Sequence, residues 1–129
     1  MKALLISNDE DVRHQLSVAL RAVERATGDA WEYLEAKDGI AGLRLAWQER
    51  PDVVIADEIT SRAGAFAVAK DLKGATIPFA GAVVILLARK QDEWLAEWSG
   101  ADAWLNRPID PFELGDVVTK LVGVTQEVG

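Results

Sequence analysis

Asn8 and Asp9 in "LLISNDEDVR", Asp57 in "PDVVIADE" and Arg107 in "LNRP" are the residues of this chain whose types invite a chemical reading. Two carboxylates brought together in a partly desolvated cleft repel one another, so one takes up a proton or a cation sits between them. Asp9 and Asp57, with the amide oxygen of Asn8 and a backbone carbonyl near Ile59, form a mostly oxygen ligand set of the kind magnesium accepts. With that ion and Arg107 nearby, the Asp57 carboxylate can attack a phosphoryl donor while the spreading negative charge is balanced. Such chemistry requires that positions 8–9, 57 and 107 meet at one rim.

Apolar patterning identifies the elements that would carry them there. "KALLIS" is a run of strand length, and "NDED" supplies acceptors to cap the next segment. From Asp11 to Arg25 the residues Val12, Leu16, Ala19, Leu20 and Val23 recur at helical spacing. "WEYLEA" reads as a strand, and "DGIAGLRLAWQER" puts Ile40, Leu43, Ala46 and Trp47 on one helical stripe that Gly42 weakens. Pro51 ends that helix, and the unbroken run Val53–Ala56 reads as a strand buried on both faces. Phe66, Ala69 and Leu72 mark a third helix, "AVVILLA" is the most apolar strand, and a short helix over 91–99 precedes the strand "AWLN". Asp110 can cap a final helix with Pro111 at its first position.

Five strand-helix units in alternation imply an α/β fold with a doubly wound parallel sheet, helices on both faces and right-handed crossovers. In such sheets chemistry gathers outside the carboxyl ends of the strands. Those ends carry Asn8 and Asp9, Asp57, Leu87 and Ala88, and Arg107.

Composition narrows the function classes. Half of the 129 residues are hydrophobic, enough for one domain with a sizeable core. Fourteen Lys and Arg against twenty-one Asp and Glu give a net charge of −7, which disfavours a nucleic-acid partner. There is no cysteine, and the first residues are too short an apolar run for a signal core or a membrane span, so a cytoplasmic protein without a membrane partner is expected. His14, the single histidine, lacks the companions of a triad or a zinc site and reads as a solvated helix residue. "SNDED" has no glycine and is acidic, against a nucleotide or flavin phosphate at that turn; a flavodoxin-like cofactor binder would show visible absorbance.

Taken in order, "LLISNDEDVR", "AKDG", "PDVVIADE" and "GADAWLNRPIDPFEL" resemble a bacterial two-component response-regulator receiver domain over residues 1–122, leaving 123–129 as a tail expected to fray. The resemblance implies a five-stranded (βα)5 flavodoxin-like fold with strand order 2-1-3-4-5. It also implies Asp57 as phosphoacceptor, Asp9 as metal ligand, Ile59 as carbonyl ligand and a cis peptide at Arg107–Pro108. A sensor histidine kinase or phosphotransfer protein would be the donor and a downstream protein the reader, with phosphotransfer onto Asp57 the only reaction and no independent metabolic activity.

The chain departs from the family at several of these places. Asn8 stands where a second Asp is usual, which makes magnesium binding weak or conditional. Leu87 and Ala88 stand at the end of the fourth strand where Thr or Ser is usual, and Arg107 replaces Lys with a planar fork. Trp104 takes the place of the switch aromatic, and the proline usual after the phosphoacceptor is missing from "ITSRAG". Trp94 and Trp98 lie four apart on one helix; exposed beside Trp104 they would form a contact face of the fourth helix, fifth strand and fifth helix, the face through which such domains commonly pair as homodimers. Two readings remain: a single-domain receiver acting in a phosphorelay, and a phosphorylation-independent pseudo-receiver serving as a docking or dimerisation module.

Overall fold

Each apolar run becomes a strand whose neighbours are set by parallel pairing. The computed structural model describes residues 1–58 and 64–128, with side-chain surroundings through residue 123. In chain order the elements are β1 (Lys2–Ile6), α1 (Glu10–Thr27), β2 (Glu32–Ala36), α2 (Gly39–Glu49), β3 (Val53–Asp57) and α3 (Ala65–Lys73). They continue with β4 (Ala82–Leu87), a 3-10 turn at Lys90–Asp92, α4 (Glu93–Ser99), β5 (Ala103–Asn106) and α5 (Pro111–Val128). The sheet is parallel in the order β2-β1-β3-β4-β5, the expected doubly wound arrangement. Helix α5 runs through most of the 123–129 segment.

Every residue of β3 is buried, because apolar clusters cover both faces of the sheet. Ala3, Leu5, Val53, Ile55, Val84 and Leu86 face α1 and α5, while Leu4, Ile6, Val54, Ala56, Val83 and Ile85 face α2, α3 and α4. That two-sided burial explains why these strands read as unbroken apolar runs instead of alternating ones.

The register does the positioning. Ile6 pairs with Ala56 and Asp57 with Leu86, so one more step along β1 sets Ser7 beside Asp57. Leu87 pairs with Asn106, and the Arg107 N–H donates to the Leu87 carbonyl at 3.0 Å, which fixes Arg107 at the same rim. The Arg107–Pro108 peptide is cis, as the resemblance implies. Two caps hold the flanking helices: Asp9 Oδ1 accepts from the Asp11 N–H at 2.9 Å, and Asp110 Oδ1 accepts from the Phe112 N–H at 2.9 Å. At the opposite end of the sheet Asp102 Oδ2 takes the Val83 N–H at 2.7 Å and Lys73 Nζ at 3.0 Å, tying α3 to the start of β4.

Helix α2 keeps most of the expected stripe, with Ala46 buried and Leu43 and Trp47 partly buried against the core, and departs from it at one position. Ile40 is exposed, and the buried positions are Gly39, Gly42 and Ala46. The helical period holds, and the fully buried positions carry the smallest side chains, because at Gly42 the helix lies too close to β1 for a larger one. A Cβ on Gly42 would sit 2.4 Å from Ile6 Cδ1 and 2.8 Å from its Cγ1, and Ile6 is fully buried.

Gly42→Ala is therefore expected to destabilise the domain. The helix gains about 1 kcal/mol in propensity, but overpacking costs about 1–3 kcal/mol, leaving a net loss of about 1 kcal/mol by urea unfolding. Combined with Ile6→Val, which removes the clashing Cδ1, the loss should shrink; a Gly42→Ala that stabilises the protein on its own would show that α2 rides freely over β1.

Candidate functional site

β3 carries Asp57 to the rim and buries it, leaving its side chain 1% exposed. A carboxylate so far from water needs matched donors. One carboxylate oxygen, Oδ2, accepts from the Ser7 hydroxyl at 2.9 Å and from Arg107 Nη2 at 2.6 Å. The Arg107 side chain is 29% exposed, so the ion pair is buried at its acid end and wet at its cationic end.

Ser7 links the acids singled out in the sequence. Its hydroxyl also accepts from the Asp9 N–H at 3.1 Å, and its carbonyl accepts from Arg13 Nη1 at 2.6 Å. Arg13 is itself buried and reaches Glu35 through Nε at 3.1 Å, so α1, β1 and β2 are tied together directly under the rim. Sequence reasoning singles out neither Ser7 nor Arg13. Ser7 carries a usable signal, a hydroxyl immediately ahead of the acidic run; Arg13 carries none, since a cation in the first turns of a helix reads as solvated.

Asn8 and Asp9 are exposed at the end of β1, with Asp9 serving as the cap of α1. Ile59, the expected carbonyl ligand, lies outside the described residues. Among the described residues no group of three or more acidic or histidine side chains converges to hold a metal. By type, Asp9, Asp57 and the Asn8 amide are hard-oxygen donors chemically suited to magnesium but short of charge.

At the end of β4, Leu87 is fully buried in the apolar layer facing α2, α3 and α4, and Ala88 is half-buried. Glu58, directly after Asp57, sends its carboxyl to this strand end. Its Oε2 accepts from the Ala88 N–H, while its own N–H donates to the Leu86 carbonyl at 2.8 Å. The carboxyl also hydrogen-bonds Asp92. Burial, and after it that bond, holds Glu58 above the usual carboxylate range. The hydrogen bonds with Glu58 and Arg89 hold Asp92 below that range. Arg89 clasps Asp92 through Nε and Nη2, both at 3.2 Å.

The tryptophans divide. Trp94 and Trp98 are exposed on α4, with Lys70 Nζ 4.7 Å above the ring of Trp98, whereas Trp104 is partly buried against the layer facing α2, α3 and α4. His14 is exposed.

Chemically, the rim presents a buried carboxylate with a guanidinium and a hydroxyl on one of its oxygens, arranged to receive an electrophile and hold the charge that develops. No family model matches the chain. An uncharacterised response regulatory protein of Mycobacterium tuberculosis is 29% identical over 124 residues, which cover 95% of this chain and 91% of that protein. The DNA-binding transcriptional regulator RpaA of Synechocystis is 28% identical over 131 residues, 98% of this chain and 51% of the regulator. A response-regulator receiver domain protein of Clostridium thermocellum superposes with a TM-score of 0.82 at 21% identity, covering 99% of this chain and 98% of its own. The receiver domain of a sensor histidine kinase of Pseudomonas aeruginosa, with magnesium coordinated in its active-site cleft, gives 0.80 at 17% identity and coverage of 95% and 97%. With the parallel order 2-1-3-4-5, the acid at the end of β3 and relatives of this kind along nearly its whole length, the chain has the fold of response-regulator receiver domains and is similar to such proteins in sequence.

Proposed function

We propose that Asp57 is the phosphoacceptor of this receiver and that a sensor histidine kinase or phosphotransfer protein supplies the phosphoryl group. The observation that carries this reading is the contact of Arg107 Nη2 with Asp57 Oδ2 at 2.6 Å on a carboxylate that is otherwise shielded from water. A carboxylate oxygen attacks phosphorus, the new O–P bond forms as the P–N bond to the donor imidazole breaks, and the electron pair leaves with the imidazole, which takes up a proton. Arg107 stays beside the oxygen that carries charge, and Ser7 keeps the carboxylate oriented.

Magnesium would be held by Asp9, Asp57 and the Asn8 amide, and when bound it supplies further neutralisation of the phosphoryl oxygens. Its binding is weak because one of the family's acids is Asn8 and because Arg107 already offsets the charge of Asp57. Signalling then passes through protein contacts at α4, β5 and α5, supported by the exposure of Trp94 and Trp98 next to Trp104 on the neighbouring strand.

Incubation with a small acyl phosphate and magnesium, followed by intact mass, tests the reading. The wild type should gain one phosphoryl group and Asp57→Asn none. If the wild type gains nothing, the chain is a docking module that needs no phosphorylation.

Arg107 generates a second expectation. Its pair with Asp57 lies between an exposed bridge, worth about 0–1 kcal/mol, and a fully buried one, whose rupture costs about 3–5 kcal/mol. Arg107→Ala should thus destabilise the domain by about 2 kcal/mol, and by less than about 1 kcal/mol in an Asp57→Asn background where no charge is stranded. Additive losses in that cycle would mean the two side chains do not depend on each other.

A further inference from the structure

Hydrogen-bond donors at the rim are what a phosphoryl group on Asp57 would consume, since it adds three acceptor oxygens at the end of β3. β3 lies between β1 and β4, so the ends of those strands, and of β5 beyond, can supply donors. Donors already engaged there include the Ser7 hydroxyl and the Arg107 guanidinium on Asp57 and, at the end of β4, the backbone N–H of Ala88 on Glu58. The side chains of Leu87 and Ala88 add nothing, being alkyl.

The Ala88 N–H already has a partner. Glu58 Oε2 accepts from it, and Glu58 is restrained from both ends. Its backbone is paired to Leu86, and its carboxyl is bonded to Asp92, which is 6% exposed and clasped by Arg89. The start of α4 is thereby fastened, through the 3-10 turn at Lys90–Asp92, to the residue after the acceptor.

We propose that Glu58 is a positioning residue that occupies the Ala88 N–H in place of a phosphoryl oxygen and so opposes transfer to Asp57. The inference rests on the reading of Asp57 as phosphoacceptor. Completing the transfer requires an exchange of partners, in which Glu58 withdraws and the Ala88 N–H turns to the new oxygen. Because Glu58 holds Asp92, and Asp92 holds Arg89, its withdrawal also loosens the entry to α4. A hydroxyl at position 87 is not needed for this coupling, since the backbone N–H of the next residue supplies the contact.

The test uses the full chain with acetyl phosphate and magnesium as the probe. Time-resolved intact mass gives the rate at which the Asp57 O–P bond forms, acetate leaving with the electron pair, and amide hydrogen exchange reports on Ala88. Glu58→Ala should gain the phosphoryl group about tenfold faster than wild type, the factor implied by removing one competing hydrogen bond. Glu58→Gln, which keeps an acceptor for the Ala88 N–H, should stay near the wild-type rate. The Ala88 amide should exchange faster in Glu58→Ala. If that variant does not fold, Asp92→Ala, which frees Glu58 from its restraint, is read in the same direction. Equal or slower gain in Glu58→Ala with Asp57-dependent gain in wild type overturns the role of Glu58 and leaves Asp57 as acceptor. No gain in any variant overturns the acceptor reading and this inference with it.

Discussion

A carboxylate held out of water constrains everything around it. An isolated ionised carboxylate costs several kcal/mol to bury, so Asp57 can occupy the end of β3 only if cationic and hydrogen-bonding partners reach it from other elements. Ser7 reaches it because the β1–β3 register sets the two side by side. Arg107 comes from β5, two strands away, and must span the end of β4 to arrive. That span is open because β4 ends in a buried Leu87 and a small Ala88, with no polar side chain at either position to intercept the guanidinium. The residues at positions 7, 87 and 107 thus belong to one solution: a hydroxyl from β1 and a long planar cation from β5 share the same carboxylate oxygen.

The rest of the rim is tied in a comparable way. Arg13 bonds the Ser7 carbonyl and Glu35, so α1 cannot shift without disturbing the residue that orients Asp57. On the other side, the Glu58, Asp92 and Arg89 network fixes the turn into α4. Helix α4 has only seven residues and buries Ala96 and Ser99, while its tryptophans face outward. A short element with so little burial is among the most easily displaced parts of a domain. The rim is therefore rigid where Asp57 is oriented, and its attachment to α4 runs through a few polar contacts that a change of charge can alter.

Legibility in the sequence depends on whether a feature is local. β3 and β4 announce themselves as unbroken apolar runs because both faces of the sheet are covered, and the caps Asp9 and Asp110 are readable because a cap bonds its own helix. The strand order comes from family resemblance, since strand length and spacing do not say which strand lies beside which. Gly42 looks like a flaw in a helix until its contact with Ile6 shows that α2 needs the missing Cβ. Ile40 shares a helical stripe with core residues yet faces outward, because a period identifies a stripe and leaves open which stripe meets the core. Ser7, Arg13 and Glu58 depend on partners distant in the chain, and only the fold reveals a polar contact of that kind.

If Asp57 is the phosphoacceptor as proposed, charge at the rim decides what phosphorylation would change. Arg107 is engaged with Asp57 and Arg89 with Asp92. A phosphoryl group on Asp57 would add at most about one negative charge, its own replacing the carboxylate's, at a site where these cations are already committed. Arg107 is the nearer of the two and can turn to the new oxygens while staying beside Asp57, since its fork has several N–H groups. Asp92 and Glu58 gain nothing from the arriving charge and are repelled by it. The asymmetry directs the response away from β5 and toward the Glu58 contact, the polar tie between the acceptor segment and α4, and so toward the exposed tryptophans.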